Sequence, residues 1–528
     1  MNPSQRVVVI GAGFSGLASA GILAARGHQV TVLEQHHHLG GRSGRLERSG
    51  YRFDTGPSWY LMPEVFEHWF MLMGSSVSQS LDLRELEIGY RTFFETRSDP
   101  VDVGRGEHLH ELFENLEAGS SEALQRYLAE AESDYDFALQ KFLYDDFSTP
   151  RFLADRKLLG QAPRLAKLLS RSLQSQVAKH FSSPEIRQIL GYPAVFLGTS
   201  PDRAPALYQL MSHLDLTQGV KYPMGGFAAV ADAMGALAAN HGADIRLGAR
   251  AVSIETSSGA RPRVAGVRWT DSTGAEQFTA ADAVIGAADA QHLDAGLLPP
   301  KLQTHSARKF SRRDPGPGAV LVCLGVKGEL PQLEHHNLLF TADWKDNFSR
   351  IAEGRSLAPE TSIYVCKPSA TDPSVAPAGN ENLFILVPSP ALVHWGYGGP
   401  DGTGDAPVEQ VADAAIDQLI RWAEIPDLRS RIEVRQSIGP ADFAALYGAY
   451  QGGALGLAHT LSQSAMLRPS NRSRHVSGLY YAGATVRPGI GVPMCLISGE
   501  LAAKSVEGIT RPGPLETPSI FVRPEAAL

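Results

Sequence analysis

The residue types best suited to chemistry in this chain of 528 residues lie close to its N-terminus. A β-branched run at 7–10 predicts a buried strand, and an Ala- and Leu-rich stretch just after it predicts a helix. Gly11, Gly13 and Gly16 stand at the junction, where they permit a tight turn, close approach of the backbone to a pyrophosphate and close packing of the helix. Glu34 ends a second predicted strand and can accept hydrogen bonds from ribose hydroxyls. The spacing predicts a βαβ unit that binds a dinucleotide at a helix N-terminus.

A second glycine pair favours FAD over NAD as that dinucleotide. Gly40, Gly41 and Arg42 begin six residues after Glu34, so the backbone can close over the pyrophosphate while the guanidinium neutralises it. A further glycine turn follows at 53–58. This continuation is similar to that of FAD enzymes and is unusual in NAD dehydrogenases.

A second anion site is predicted near the other end of the chain. Residues 479–482 predict a strand, 483–491 a glycine-rich turn and 494–504 a helix, and Pro493 suits the first turn of that helix. A helix N-terminus carries partial positive charge, and a reduced flavin is negative near N1 and the C2 carbonyl. We therefore expect this turn to stabilise the reduced cofactor.

The composition excludes several classes of protein. With 43% hydrophobic and 20% charged residues, the chain has the balance of a folded globular protein, and its net charge of −8 argues against a nucleic-acid partner. Three scattered cysteines favour a reducing compartment. The consecutive histidines at 36–38 cannot converge on one ion, so we expect no metal. The longest clean apolar run, 319–326, is too short to span a bilayer, and the expected location is cytoplasmic.

The separated motifs predict an α/β fold with a discontinuous, Rossmann-like FAD-binding domain of the GR2 type. A glycine motif at 222–227 precedes a predicted helix, and the run 283–286 predicts a further strand of the nucleotide-binding sheet. We expect the FAD domain to use residues 1–75, 216–300 and 441–510, and an inserted α+β substrate and membrane-associated domain to use 76–215 and 301–440. The proline-rich tail, 511–528, is expected to be flexible.

The segment 151–181 is a candidate membrane contact. It holds seven basic residues and one acid, Asp155, in a chain that is acidic overall. On a helical wheel, basic side chains share one side and leucines the other, as in a helix that lies on an anionic bilayer. An ordinary amphipathic helix packed on the core has the same pattern, and Pro163 would break or begin a helix there.

Longer motifs identify a family resemblance. The chain resembles the carotenoid desaturases of the bacterial and fungal type, the phytoene desaturases, over nearly its whole length. The N-terminal motifs are shared with the wider superfamily of flavin oxidases, whereas six others are narrower and occur in the family's order. These narrower motifs are YPMGGF at 222–227, PSATDPSVAP at 368–377, ENLFILVPSP at 381–390, DFAALYGAYQGGALGL at 442–457, LSQSAMLRPSNRS at 461–473 and GATVRPGIGVPMCLISGE at 483–500.

The resemblance implies a two-domain flavoprotein that binds FAD noncovalently and dehydrogenates a long acyclic polyene. Many family members have a histidine where this chain has Arg487, and related amine oxidases often have an acid where Ala484 stands. The implied FAD contacts are Gly11, Ala12, Gly13, Phe14, Ser15, Gly16, Glu34, Gly40, Gly41, Arg42, Gly56, Pro57, Ser58, Val252, Gly483, Ala484, Gly491, Val492 and Pro493.

The expected reaction is hydride transfer from an acyclic carotene to flavin, with phytoene converted toward lycopene. No Ser/His/Asp or Cys/His arrangement supplies a strong base, and the polyene delocalises the developing charge. We expect Gly491, Val492 and Pro493 to stabilise the reduced flavin, whereas Asp155 and Arg156 are weaker candidates that would assist proton removal. Quinone or oxygen would reoxidise the flavin.

A carotene has no polar handle, so its affinity must come from a long apolar tunnel. Trp59, Tyr60 and Phe196 are candidate tunnel residues that could equally be core. Other readings remain: an isomerase, saturase or ketolase on the same scaffold, an FAD amine oxidase with a compact polar pocket, and a noncatalytic flavoprotein that holds carotenoid.

Overall fold

A five-stranded parallel sheet, the dinucleotide sheet, forms one part of the α/β fold. The computed structural model describes residues 3–148, 164 and 166–517. All neighbouring strands of the sheet are parallel, and they come from three stretches of chain that lie far apart in sequence. In spatial order the strands are Leu479–Tyr481, Ala283–Gly286, Arg6–Ile10, Gln29–Glu34 and Asp244–Leu247.

Three helices cover one face of this sheet. Phe14–Ala25 is buried over nearly its whole length, which suits its Ala-, Gly- and Leu-rich sequence because an apolar helix must be enclosed. Val492–Val506 packs directly against it: a Cβ on Gly499 would lie 2.5 Å from the Ser15 carbonyl. Gly226–Asn240 packs on the other side of Phe14–Ala25. The first turn of Phe14–Ala25 thus packs against the middle of Val492–Val506.

A seven-stranded mixed sheet forms the second layer. One of its inner strands, Gly318–Val326, is buried throughout and contains the apolar run of the sequence. Leu321 faces a large cavity, whereas Val320 and Val322 face the helix Ala406–Trp422 on the opposite side, as the alternation of a strand requires. The strand order is Ile432–Ile438, Gly318–Val326, Glu381–Ser389, Ile363–Cys366, His336–Phe340, Tyr90–Phe94 and Val101–Val103.

Three smaller sheets accompany the two large ones. A three-stranded antiparallel sheet consists of Arg250–Thr256, Val264–Thr270 and Glu276–Ala280, and two strand pairs join Arg45–Arg48 to Tyr51–Asp54 and Leu83–Glu85 to Lys221–Pro223. The other α-helices are Pro63–Leu72, Val77–Ser80, Gly106–Leu116, Ser120–Ala138, Leu173–Val177, Pro184–Gly191, Leu210–Ser212, Ala290–Leu297, Ala307–Phe310, Trp344–Ala352, Leu428–Arg431 and Pro440–Tyr447. Within the described ranges, no helix has the length and apolar character needed to cross a bilayer.

The predicted single amphipathic helix at 151–181 is wrong for the part that the structure describes. Residues 166–170 are helical, the helix ends before residue 171, and a separate helix covers Leu173–Val177. Ser172 caps that second helix by accepting a hydrogen bond from the Ser175 amide at 3.2 Å. Leu173 and Val177, each 1% exposed, belong to the protein core and not to an outward apolar face. Asp155 and Arg156 lie outside the described residues.

The predicted flexible tail begins too early. Up to Leu515, the chain after the last helix is held against it. The Lys504 ammonium donates to the Gly513 carbonyl at 2.7 Å, and the Leu515 amide donates to Glu500 at 2.6 Å. Composition alone missed this anchoring because both partners are buried polar side chains on the helix Val492–Val506. Residues 518–528 lie outside the described part.

Candidate functional site

A cavity of about 920 Å³ lies at the carboxyl edge of the dinucleotide sheet. Ile10, Glu34, Ala287 and Gly483 line it, each at or just beyond the end of a parallel strand, which is where ligands bind in open α/β sheets. We call its two halves the dinucleotide end, around Gly13 and Glu34, and the apolar arm. The apolar arm is the part lined by Tyr135, Phe142, Leu169, Phe196, Met211 and Leu214.

The first glycine turn is closed by contacts of its own backbone. Gly11 has a φ of +103°, which suits glycine. A Cβ on Gly16 would lie 1.9 Å from the Gly11 carbonyl oxygen, so no side chain fits there. Gly13 differs, because its φ of −71° suits any residue and a Cβ would have only the Gly41 Cα within reach, at 3.9 Å. The position that protein atoms leave open is therefore Gly13.

The second glycine pair folds back onto the first. The Gly40 amide donates to the Ala12 carbonyl at 3.0 Å, which brings Gly41 over Gly13. Arg42 follows, and a Cβ on Gly56 would lie 2.0 Å from its carbonyl oxygen. The two motifs that the sequence separates by about thirty residues thus form a single backbone cradle.

Glu34 and Arg42 are two of the charged side chains at the dinucleotide end, where Arg250 and Asp289 also line the cavity. The Glu34 carboxylate, 5% exposed, accepts hydrogen bonds from the Ala12 amide at 2.7 Å and the His36 amide at 2.9 Å. Each oxygen retains a further lone pair for a ribose hydroxyl. Arg42 donates to the Leu455 carbonyl at 3.3 Å, but its Nε is buried without a partner. A buried orphan donor beside the cradle fits an anionic ligand such as a pyrophosphate.

Val252 reaches this end of the cavity through an irregular strand. The pairing of Arg250–Thr256 with Val264–Thr270 passes from Ala251 to Ser253 and skips Val252. Its backbone groups therefore have no ladder partner, as at a β-bulge. Val252 is 45% exposed and lines the cavity. This arrangement suits main-chain contact with the flat edge of a base.

The turn at 483–491 forms the middle of the cavity. Gly491, with a φ of +114°, caps the helix Val492–Val506. The first amides of this helix carry its positive dipole end, and Val492 and Pro493 line the cavity beside them. The Gly483 amide donates to the Ser498 hydroxyl at 3.0 Å, which ties the turn to the helix that follows.

A buried polar group that the sequence analysis missed supports this turn. The Tyr208 hydroxyl and His459 Nδ1 are 2.6 Å apart, and His459 Nε2 accepts a hydrogen bond from the Ile490 amide at 3.1 Å. Burial, reinforced by nearby Arg468, holds the pKa of His459 well below its ordinary value. Arg468 is 2% exposed. The Ser464 hydroxyl lies 3.1 Å from the Tyr208 hydroxyl. Arg468 and Ser464 both belong to the motif at 461–473, which identified the family resemblance but predicted no role for either residue.

The apolar arm runs between the helical layer and the seven-stranded sheet. Two π-helical turns, Leu139–Leu143 and His213–Gln218, contribute to its wall, and such turns are frequent at functional sites. Trp59 and Phe196 line the cavity, whereas Tyr60 stacks on Phe66 in the core and does not.

Charged side chains are nearly absent from the apolar arm. Among the described lining residues, Arg487 is the one charged side chain away from the dinucleotide end. Two of its guanidinium nitrogens donate to the carbonyls of Asp146 and Met466, and its Nε is buried without a partner. The described part of the arm has no carboxylate clamp, so it fits a long apolar ligand better than a compact polar one.

A second buried polar cluster borders the arm. The Tyr364 hydroxyl lies 2.6 Å from the Ser58 hydroxyl and 2.7 Å from His336 Nδ1. His335, His336 and Cys366 place possible ligand atoms within 4.8 Å of one another. His335 Nδ1 pairs with Thr371 at 2.7 Å, and burial lowers the pKa of His335 to about 3. The two imidazoles are therefore neutral hydrogen-bonding groups.

The structure brings most of the predicted site residues to this one cavity. Of the nineteen residues named as FAD contacts, Ala12 and Gly16 do not line it: Ala12 binds Glu34, and Gly16 closes the turn. The donors, the open Gly13 cradle and the orphan Nε of Arg42 fit a flavin dinucleotide. Gly491, Val492 and Pro493 lie in the wall, and Asp155 and Arg156 lie outside the described residues.

Comparisons with known proteins agree with this geometry. The family model of flavin-containing amine oxidoreductases matches residues 14–506. The chain is 40% identical to a carotenoid 3,4-desaturase of Haloarcula japonica, over 95% of this chain and 98% of that protein. It is 33% identical to a zeta-carotene-forming phytoene desaturase of Myxococcus xanthus, over 95% and 93%.

A solved structure shares the fold at much lower identity. Wild-type putrescine oxidase with bound putrescine superposes with a TM-score of 0.58 at 15% identity, over 96% of this chain and 99% of that one. The predicted membership of the wider superfamily and the resemblance to carotenoid desaturases are both confirmed. The chain belongs to the family of flavin-containing amine oxidoreductases and is a flavin-dependent oxidoreductase of the carotenoid desaturase type.

Proposed function

We propose that the protein is an FAD-dependent desaturase of an acyclic carotene, with phytoene converted toward lycopene. The observation that carries the proposal is the continuity of one cavity from a dinucleotide cradle to an arm without carboxylates. A carbon–hydrogen bond breaks with its electron pair, the adjacent carbon loses a proton, and a double bond forms between them. Bound FAD supplies the two-electron acceptor, and quinone or oxygen then removes those electrons.

The cofactor is held by the dinucleotide end in this proposal. Gly13 and Gly41 leave space for the pyrophosphate, Arg42 neutralises it, and Glu34 accepts from the ribose. The turn capped by Gly491 holds the reactive ring. We assign residues 1–75, 216–300 and 441–510 to this FAD-binding part, and 76–215 and 301–440 to the substrate part.

The apolar arm positions the polyene and excludes water. Its walls supply hydrophobic contact, worth about 25 cal/mol for each Å² of apolar surface removed from water. The arm contains no carboxylate among its described lining residues, which disfavours an amine substrate. Because the polyene itself spreads positive charge, positioning contributes more here than a strong base would.

A peripheral membrane location follows from the substrate's solubility. Ala465 lines the cavity and is exposed, so the cavity reaches the surface there, and Met466 and Leu467 beside it are 46% and 52% exposed. Lys167 and Arg171 are exposed on either side of Leu169, which also lines the cavity. We propose that this apolar and basic rim lies on anionic lipid and that the carotene enters across it.

Anaerobic incubation with phytoene in anionic liposomes tests the main proposal. The expected result is bleaching of the flavin absorbance together with the spectrum of a carotene with more conjugated double bonds. An FAD-loaded, membrane-bound protein that leaves phytoene unchanged would contradict phytoene as the substrate. Denaturation by acid should release intact FAD into the supernatant, and a flavin that stays with the polypeptide would contradict noncovalent binding.

A second candidate reaction is 3,4-desaturation of a carotene that is already conjugated. It is favoured by the 40% identity to a carotenoid 3,4-desaturase. The same assay with lycopene distinguishes the two reactions: turnover of lycopene with none of phytoene selects the second candidate.

A further inference from the structure

Arg468 is a buried cation beside the turn at 483–491. Its guanidinium donates to the carbonyls of Ala484 and Val486, at 2.5 and 3.0 Å, within that turn. It also donates to the carbonyls of Leu457 and Gln463, at 2.9 and 3.1 Å. The side chain is 2% exposed, and no carboxylate in the described ranges forms an ion pair with it.

All four hydrogen-bond partners of the Arg468 guanidinium are neutral carbonyls. Burying an unpaired charge is costly, and four neutral carbonyl partners compensate only in part. Burial lowers the pKa of Arg468 to about 10, so it remains cationic at neutral pH. The neighbouring Tyr208 and Cys495 cannot compensate, because burial raises the pKa of both groups above their ordinary values. The protein therefore maintains an unpaired positive charge next to its cavity wall.

Ala484 and Cys495 place this charge beside the cavity wall, at the turn where the flavin ring is proposed to lie. Both residues line the cavity, and the Ala484 carbonyl binds Arg468 directly. A Cβ on Gly489, in the same turn, would lie 3.4 Å from the Arg468 Cζ. Arg468 thus stands directly behind the turn, separated from the cavity by one layer of backbone.

We infer that Arg468 is a fixed positive charge that stabilises the reduced, anionic flavin from behind the turn at 483–491, in addition to Arg42 and Arg487 in the cavity wall. The inference rests on the proposed FAD function, because it needs the flavin ring at this turn. Reduction by a hydride adds two electrons and one proton, which leaves a negative charge on the ring, and Arg468 offsets it without touching the ring. It is a positioning and electrostatic residue and adds to the dipole of the helix Val492–Val506.

The midpoint potential of the bound flavin, measured against a reference dye without any carotene, tests this role. Arg468→Met should lower the equilibrium constant for two-electron reduction about tenfold, a shift of about 30 mV to more negative potential. Arg468→Lys should retain most of the wild-type potential because it keeps the charge. Arg313→Gln is the matched control: Arg313 binds the carbonyls of Ser462 and Leu467 in the same segment but is partly exposed, so its loss should leave the potential unchanged.

A wild-type potential in Arg468→Met with FAD bound would overturn the inference, and so would an equal shift in Arg313→Gln. Should Arg468→Met not retain FAD, the wild-type protein decides alone. Its reduced flavin should show the anionic spectrum below the pH at which free reduced flavin gains its proton, and the neutral spectrum there overturns the inference. The titratable or charged groups around Arg468 are Tyr208, His459, Cys495 and Arg313. Neither measurement uses a carotene, so failure of the desaturase proposal is seen separately.

Discussion

The dinucleotide end and the apolar arm are two halves of one cavity, built in opposite ways. The dinucleotide end is made largely of backbone: the turn at 11–16, Glu34 and the turn at 40–42 lie within 32 residues of one another and touch through main-chain groups. The apolar arm is made of side chains from distant parts of the chain, among them Trp59, Leu214 and, from the seven-stranded sheet, Leu386. A site made of backbone requires particular residues at particular spacings, whereas an apolar wall accepts many side chains of similar size.

This difference predicts how each half responds to mutation. At the dinucleotide end an added side chain meets either fixed backbone, as at Gly16, or the space proposed for the cofactor, as at Gly13, so effects should be all-or-none. In the apolar arm one truncated side chain should have a modest effect, and only a change of polarity should be severe.

Gly13→Val tests the dinucleotide end and should have the largest effect. The φ of Gly13 suits valine, and the nearest atom to its Cβ outside the neighbouring residues would be 3.9 Å away, so the variant should fold with the melting temperature of the FAD-free wild type. The methyl groups would occupy the space for the pyrophosphate, and bound FAD should be lost. The flavin absorbance of the purified protein measures the outcome, and it should fall to that of the apoprotein.

Gly16→Ala serves as the contrasting variant. Its Cβ would lie 1.9 Å from the Gly11 carbonyl oxygen, so this substitution should lower the melting temperature itself. Normal FAD content in Gly13→Val would show that the pyrophosphate does not lie at Gly13. A melting temperature of Gly16→Ala equal to that of the wild type would show that the turn is not rigid.

The same contrast explains what the sequence could predict. The motifs at 11–16, 34 and 40–42 predict their local structure because turn geometry and residue type are linked at short range. The unpaired state of Val252 could not be predicted, because it depends on how two strands pair. The anchoring of Leu515 and the roles of Tyr208, His459 and Arg468 were missed because each depends on partners far away in sequence.

The prediction of one continuous helix at 151–181 failed for a related reason. A helical wheel assumes one continuous helix, but the Leu173 amide is taken by the Ala204 carbonyl at 2.8 Å, which ends the regular pattern at 171–172. Amphipathic periodicity reports that one face is apolar and does not distinguish a lipid surface from the protein's own core.

Met211→Lys tests the apolar arm and should have the second largest effect. Met211 lines the arm, so an ammonium there would face the polyene and lose hydration when the substrate enters. A penalty of a few kcal/mol would lower kcat/KM for the carotene about 100-fold. FAD content should remain normal, because the dinucleotide end is untouched.

Met71→Lys provides the matched control, since Met71 is also partly buried but does not line the cavity. It should leave kcat/KM near the wild-type value. Equal kcat/KM values for Met211→Lys and Met71→Lys would show that the polyene does not occupy the arm.

Gly491→Val tests the turn where the two halves meet. A side chain at a φ of +114° is strained by about 1–3 kcal/mol, and the first amides of the helix would be displaced. We expect flavin reduction by the carotene to slow about tenfold, measured by anaerobic stopped flow, with a smaller change in FAD affinity.

Gly242→Val, at a φ of +95° with no atom within 4 Å, controls for strain alone, and its flavin should be reduced at the wild-type rate. A reduction rate equal to that of the wild type in Gly491→Val would show that this turn does not hold the reactive ring of the flavin.

Leu467→Ser tests the rim of the apolar arm and should have the smallest effect. Leu467 is 52% exposed and follows Ala465, where the cavity reaches the surface. Burying a half-exposed leucine in lipid is worth about 1 kcal/mol, so partitioning onto anionic vesicles should fall about fivefold. Val393→Ser removes an aliphatic side chain of similar exposure, 44%, that does not line the cavity, and it should float with vesicles like the wild type. If both variants float equally well, the rim near Ala465 is not the lipid contact, and the carotene must enter the arm from another side. If both variants lose flotation equally, the protein associates with lipid through scattered apolar contacts. That result would contradict the proposal that the cavity opens onto the membrane at this rim.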